Sequence, residues 1–270
     1  MCCGALNLQG QDTLLYKLIG TDSLLIEVLY PQQQAAEALR PAVVFFHGGG
    51  WRNGNRNHLR RQAKYFVDRG AVCFLVEYRI ESKHGTSPFE ALADAKSALR
   101  YVRSKAAHFQ IDPAMIVACG GSAGGHLAAA CALIDGYETE GEMTQISSRP
   151  DALILLNPVI DNSPAGYGYR KIGEEYRTFS PLHNIKRGAP PTLFLLGTQD
   201  KLIPVATARY YQTAMERVGS RCELKLYEGQ EHSFFNYARS PQYFEATLTE
   251  MDAFLVSLGF LLPLNHLKTD

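Results

Sequence analysis

Apolar residues along the chain fall into two patterns, and together they lay out an ordered series of elements. Runs at Ala42–Phe46, Val72–Val76 and Ala152–Leu156 are unbroken, and Ile116–Cys119 and Thr192–Leu196 are nearly so. Such runs predict short strands buried on both faces, as in a parallel sheet. Leu14–Ile19 and Leu24–Tyr30 read as strands joined by a turn at Gly20–Ser23, with Pro31 closing the second, and Glu223–Tyr227 reads as another. Helical spacing appears elsewhere. Leu59, Ala63, Phe66 and Val67 predict a helix over Asn57–Arg69 that stops at Gly70, and Leu127–Leu133 is a further apolar helix. Ser87-Pro88-Phe89-Glu90 combines an N-cap serine, an N1 proline and a glutamate three residues on, which starts a helix carrying Leu92, Ala95, Leu99 and Val102. Val205–Val218, stopped by Gly219, and Tyr243–Leu258, with Phe244, Leu248, Met251 and Leu255 on one face, complete the set.

Strands and helices alternate without an internal repeat or linker, so residues 1–270 read as a single α/β domain. Its sheet is expected to be mostly parallel, with about eight strands and helices on both faces. Residues 1–12 are expected to form a loose N-terminus. The polar segments 31–40 and 136–149 read as loops, and Asp112-Pro113 as a turn into the Ile116 strand. Residues 161–185, with Tyr167, Tyr169, Tyr176 and Phe179, have no clean period. Connections this long are often lids or substrate-binding loops.

Composition narrows the function classes. The 27 Lys+Arg residues balance 27 Asp+Glu, so no global field favours nucleic acid or an anionic membrane. Ser257, Gly259 and Pro263 interrupt the apolar tract from Phe254 to Leu264, and no membrane span is expected. No leader pattern precedes the first strand, and a cytoplasmic location is expected. Of the cysteines, Cys73, Cys119 and Cys131 fall on apolar elements and Cys2-Cys3 on the N-terminus. With no C-x-x-C or His spacing suited to a metal, neither metal nor organic cofactor is implied. A homodimer is left open.

The chemistry collects at glycine clusters and strand ends. Gly120-Gly121-Ser122-Ala123-Gly124 fits G-x-S-x-G between a strand and a helix, where small residues on either side let a serine occupy a sharp turn. Neither the G-x-x-x-x-G-K nor the G-x-G-x-x-G phosphate pattern fits well. Ser122, Asp200 and His232 all follow predicted strands, at the edge where parallel sheets gather ligands. Their order suits a nucleophile, an orienting acid and a base: His232 would take the Ser122 proton and Asp200 would fix the imidazole. Asp161 also follows a strand and is a rival acid; Glu231 reads as a surface residue. Another strand ends in His47-Gly48-Gly49-Gly50. Backbone N–H groups of Gly49, Gly50 and Ala123 are the candidate oxyanion donors, with His47 bracing the loop. Trp51, Tyr176, Phe234 and Phe235 are candidates for a substrate pocket, with plain packing the competing reading. His126 reads as a packing residue.

His47-Gly48-Gly49-Gly50-Trp51, Tyr78-Arg79, Gly120–Gly125, Asp200 and His232 together resemble the hormone-sensitive-lipase-like branch of α/β-hydrolases. That resemblance implies an α/β-hydrolase fold and supports the oxyanion assignment. Two departures stand out: Gly121 replaces the aspartate often found before the serine, and little room for a cap precedes Ala42. In both length and the Tyr78–Glu90 segment the chain is more similar to the small, nearly capless acetyl-xylan and feruloyl esterase-like hydrolases. The expected activity is a serine carboxylesterase acting on acetyl to butyryl esters, including carbohydrate-borne ones. A peptidase, an acyltransferase or a non-catalytic receptor on the same fold are the alternatives.

Overall fold

The computed structural model describes residues 10–32 and 39–264. Its first two strands, β1 (Gln11–Ile19) and β2 (Asp22–Leu29), form an antiparallel hairpin. The turn between them is only two residues, and Gly20 takes φ +55° there, a conformation glycine adopts without penalty. Because β1 starts at Gln11, the expected loose N-terminus does not extend through residue 12. Residues 1–9, including Cys2 and Cys3, lie outside the described residues, as do residues 33–38 of the polar segment.

The remaining strands are β3 (Arg40–Phe46), β4 (Val72–Val76), β5 (Ile111–Gly121), β6 (Ala152–Leu156), β7 (Thr192–Gly197) and β8 (Cys222–Tyr227). All eight form one sheet in the order β1-β2-β4-β3-β5-β6-β7-β8. Strands β3 to β8 are parallel and β2 joins β4 antiparallel. Asp112-Pro113 lies inside β5 and not in a turn before it; the register against β3 shifts between Arg40 and Ala42, which accommodates the proline at an irregularity.

The long helices are α1 (Arg60–Asp68), α2 (Pro88–Ser104), α3 (Ala123–Leu133), α4 (Val205–Arg217) and α5 (Pro241–Ser257). Alternate side chains of each unbroken apolar strand feed opposite cores. Val44, Phe74, Leu155 and Phe194 join α2, α3 and α4 on one face, while Phe45, Leu75, Ile154 and Leu193 join α1 and α5 on the other. The predicted cap of α2 is complete: Ser87 Oγ accepts from Phe89 N–H, and Glu90 accepts from Ser87 N–H at 2.9 Å. All of α3 is buried, as a helix apolar on every face but for His126 requires. The segment 161–185 is a series of short helical turns. Ser180 N–H donates to Tyr176 C=O, and His126 Nε2 lies 3.0 Å from the Phe179 carbonyl, which fixes the segment over α3.

Candidate active site

Five strand ends converge on one edge of the sheet. β3 ends before His47, β5 before Ser122, β6 before Asn157, β7 three residues before Asp200, and β8 five residues before His232. Ser122 sits between β5 and α3 with φ 55° and ψ −118°, a strained conformation for a residue with a side chain. Its backbone is held from two sides. Ser122 N–H donates to Leu156 C=O at 2.9 Å, and its own carbonyl accepts from His126 N–H and Val159 N–H, each at 3.0 Å. A Cβ on Gly120 would collide with the Gly124 carbonyl, and one on Gly124 with the carbonyl oxygens of Phe46 and His47. Both positions therefore require glycine.

Ser122 Oγ lies 3.0 Å from His232 Nε2, and His232 Nδ1 lies 2.7 Å from Asp200 Oδ2. The other Asp200 oxygen accepts from Leu202 N–H and Ile203 N–H, at 2.8 and 3.0 Å. These bonds aim Oδ2 at the imidazole. Asp161 instead accepts from Ser163 N–H in its own turn, and Glu231 is exposed.

The glycine loop after β3 is shaped by close backbone approach. Gly49 takes φ +126° and Gly50 φ +62°, and the Gly49 carbonyl accepts from Arg52 N–H and Asn53 N–H. His47 is buried beneath it, donating from Nδ1 to Gly48 C=O at 2.8 Å, with the Tyr78 ring stacked on it at 4.2 Å. Tyr78 O–H donates to His47 C=O at 2.6 Å. Burial pushes the His47 imidazole down to about 4 despite the opposing bond to Gly48, so it is neutral at neutral pH. His126 is pushed down to about 4 as well, again mainly by burial.

Arg79 extends the support outward. Its backbone N–H, Nε and Nη2 all donate to Asp94, which is fully buried and also pairs with Lys17 at 2.7 Å.

The cleft above Ser122 and His232 encloses about 690 Å³. Gly48, Gly49 and Gly50 form one side, and Tyr167, Leu202 and Phe235 supply apolar surface, while Asn53, Asn57, His58 and Ser233 make the rim polar. Of the four aromatic candidates only Phe235 lines it. Trp51 is buried against His126 and Tyr167, Tyr176 packs on Tyr169 and His183, and Phe234 packs on Tyr227 and Tyr243. These three pack within the core and do not line the cleft, a distinction that aromatic character alone does not specify. Tyr167 is named in the sequence only within the possible lid or substrate-binding segment 161–185, and Leu202 and Asn157 are not singled out there. The first two reach the cleft from distant loops; Asn157 carried a signal, since it is a polar residue directly after a buried strand.

Phe235 also explains the missing aspartate. Its ring tip stands 2.8 Å from where a Gly121 Cβ would project, so the ring fills the space a longer residue would need. Residues 161–185 form a wall beside the glycine loop. The Tyr167 hydroxyl would lie 2.8 Å from a Gly50 Cβ, Gly168 packs on the Trp51 ring, and Lys171 pairs with Glu81. Among the described residues no helix is long and apolar enough to cross a membrane, and no group of three or more His, Cys, Asp or Glu side chains could hold a metal ion.

The BD-FAE family profile matches residues 26–167, more than half of the chain, and the dienelactone hydrolase family profile matches residues 154–257. An acetylxylan esterase from Xylanibacter ruminicola is 28% identical over 209 residues, covering 72% of this chain and 41% of that protein. The chain spans about half the length of the curated relatives it matches. Solved structures agree over nearly the whole chain. The apo form of Thermogutta terrifontis esterase 2 is 40% identical with a TM-score of 0.90, covering 96% of this chain and 98% of that one. A propionate-bound esterase structure from the same organism is 39% identical with a TM-score of 0.89 and the same coverage. An eight-stranded, mostly parallel sheet with helices on both faces, matched at this identity over nearly its full length, makes the fold that of an α/β-hydrolase, and the chain belongs to the BD-FAE family.

Proposed function

We propose that this chain is a serine carboxylesterase for short-chain esters, with Ser122 as nucleophile, His232 as base and Asp200 as the acid that orients it. The observation that carries the reading is the hydrogen-bonded line from Ser122 Oγ through His232 to Asp200, at 3.0 and 2.7 Å, opening into a cleft. In the first step Ser122 Oγ forms a bond to the ester carbonyl carbon while its proton passes to His232 Nε2. The carbonyl oxygen becomes an oxyanion, held by the backbone N–H groups of Gly49, Gly50 and Ala123. Collapse breaks the bond to the alkoxy oxygen, which leaves as the alcohol with the His232 proton. Water, deprotonated by His232, then releases the acid from the acyl-enzyme and restores Ser122.

Size and lining support the substrate class. Leu202, Tyr167 and Phe235 offer limited apolar surface beside Ser122, which suits acetyl to butyryl groups, and the propionate-bound relative supports the same range. The polar rim suits a hydroxylated alcohol. Acetylated carbohydrates are the proposed natural class, in keeping with the acetylxylan esterase relative.

A chain-length series of p-nitrophenyl esters, run with wild type and Ser122→Ala and normalised to folded protein, tests the proposal. Activity should concentrate on acetate to butyrate and fall by a factor of about a thousand or more in the variant. A phosphonate probe should add one mass at Ser122. Wild-type-like turnover by folded Ser122→Ala would overturn the assignment.

A further inference from the structure

Asn157 is buried, polar and not absorbed by the mechanism above. It follows β6 directly and adopts φ +31°, a left-handed value that asparagine tolerates better than most residues. Its N–H donates to Leu195 C=O at 2.7 Å, so the backbone is fixed between two strands. The carboxamide Nδ2 lies 3.1 Å from His232 Nδ1 and 3.3 Å from His232 Nε2. Both nitrogens already have their in-plane partners, Asp200 and Ser122. An atom nearly equidistant from both, and this close, cannot lie in the ring plane, because Cε1 and its hydrogen occupy that direction. It lies over the face of the imidazole.

The other end of the same amide is equally telling. Asn157 Oδ1 is buried without a hydrogen-bond partner, a cost of the kind that active sites retain for a purpose. Which amide atom faces the ring is set by local bonding, and a half-turn of the carboxamide brings Oδ1 over the imidazole. The carbonyl end favours a ring that has taken up a proton; the amino end opposes it.

Placement adds a further constraint. Leu156 accepts the Ser122 N–H and Val159 donates to the Ser122 carbonyl, so residues 156–159 hold the serine while Asn157, between them, touches the histidine. One short segment thus sets the distance between the two reacting groups.

We propose that Asn157 is a positioning residue for His232: its carboxamide covers one face of the imidazole and holds the ring in the plane that joins Asp200 to Ser122. This inference rests on the reading of His232 as the base. The groups facing the imidazole are few. Asp200 comes from the turn after β7, Ser122 from the end of β5 and the neutral amide from the end of β6, while Glu231 is exposed and His58, across the cleft, accepts from Gly48 N–H.

Two substitutions that tolerate the backbone angle test it. Asn157→Gly removes the cover, and Asn157→Asp replaces the amide with an isosteric carboxylate. Asn157→Gly should lower kcat by roughly tenfold or more with KM changed little, because the cost falls on orientation and not on binding. Asn157→Asp should raise the acid limb of the kcat/KM profile by about one pH unit, since an added negative charge favours the imidazolium. Folding is checked by near-UV circular dichroism, and Ser122→Ala is assayed in parallel. If Ser122→Ala is inactive while both folded Asn157 variants keep the wild-type kcat and acid limb, this inference fails and the triad stands. An active Ser122→Ala would instead remove the reading on which it rests.

Discussion

Gly121 and Phe235 offer a test of how tightly the turn at Ser122 is packed. Gly121 is not at positive φ, so a methyl group there meets no backbone penalty and its effect isolates the contact with the ring. An added Cβ would stand 2.8 Å from Phe235 Cζ and 3.4 Å from Cε2. Phe235 is 1% exposed, so the ring has little room to retreat the roughly half ångström that ordinary contact requires. Overpacking of this kind costs about 1–3 kcal/mol, which sets the expectation for Gly121→Ala. An aspartate at 121 should cost more, because it brings a charge toward an apolar ring. Shortening the ring opens the space. Phe235→Leu is destabilising alone, yet the double variant should recover part of the Gly121→Ala loss, a coupling of about 0.5–3 kcal/mol. Guanidinium unfolding of the four proteins at constant m-value supplies the cycle. Strict additivity, or a Gly121→Ala protein as stable as wild type, would refute the steric account of why glycine precedes Ser122.

Two further predictions concern the supports of the site. His47 and His126 are buried and pushed down to about 4, against an ordinary 6.5 when unfolded, so between those values the unfolded chain binds protons that the folded chain does not. Stability should therefore be full above pH 6.5 and fall as pH drops toward 4, by about 3 kcal/mol per histidine in total; unfolding midpoints that stay flat from pH 6.5 to 5 would contradict this. Asp94 is fully buried between Arg79 and Lys17. Asp94→Ala leaves the buried Lys17 ammonium and the half-buried Arg79 guanidinium without their shared partner and should cost about 3–5 kcal/mol in denaturant, and a loss under about 1 kcal/mol would count against the pairing.

How far the sequence could be read depends on whether a feature is local. Ala42–Phe46 and Val72–Val76 were legible as strands because burial on both faces leaves no polar interruption, and the α2 start was legible because Ser87 and Glu90 cap each other within four residues. The α5 start was misplaced by two residues: Ser240 accepts from Tyr243 N–H and Pro241 takes the first turn, a cap signal overshadowed by the apolar period beginning at Tyr243. Ser122, Asp200 and His232 were legible as a set because parallel topology delivers strand ends to one edge. Pocket walls were not. Whether Trp51 or Tyr167 faces the cleft depends on how residues 161–185 fold back on the glycine loop, and no local pattern encodes that contact.

The strain at Ser122 and the glycines around it belong to one arrangement. A serine at φ 55° costs on the order of 1–3 kcal/mol, and the turn persists only because neighbouring structure over-determines it. Three hydrogen bonds to its backbone, from Leu156, His126 and Val159, supply that constraint, and each comes from a part of the chain whose position depends on a glycine or on β6. Gly124 lets α3 approach the end of β3 so closely that any side chain would strike the Phe46 and His47 carbonyls. The glycine loop lies against the same turn, where a Gly48 Cβ would stand 3.5 Å from Ser122 Cβ. A larger residue at 124 would push α3 from the sheet, releasing the His126 bond to Ser122 and displacing Ala123 together. The strain at Ser122 and the position of Ala123 therefore depend on the same contact.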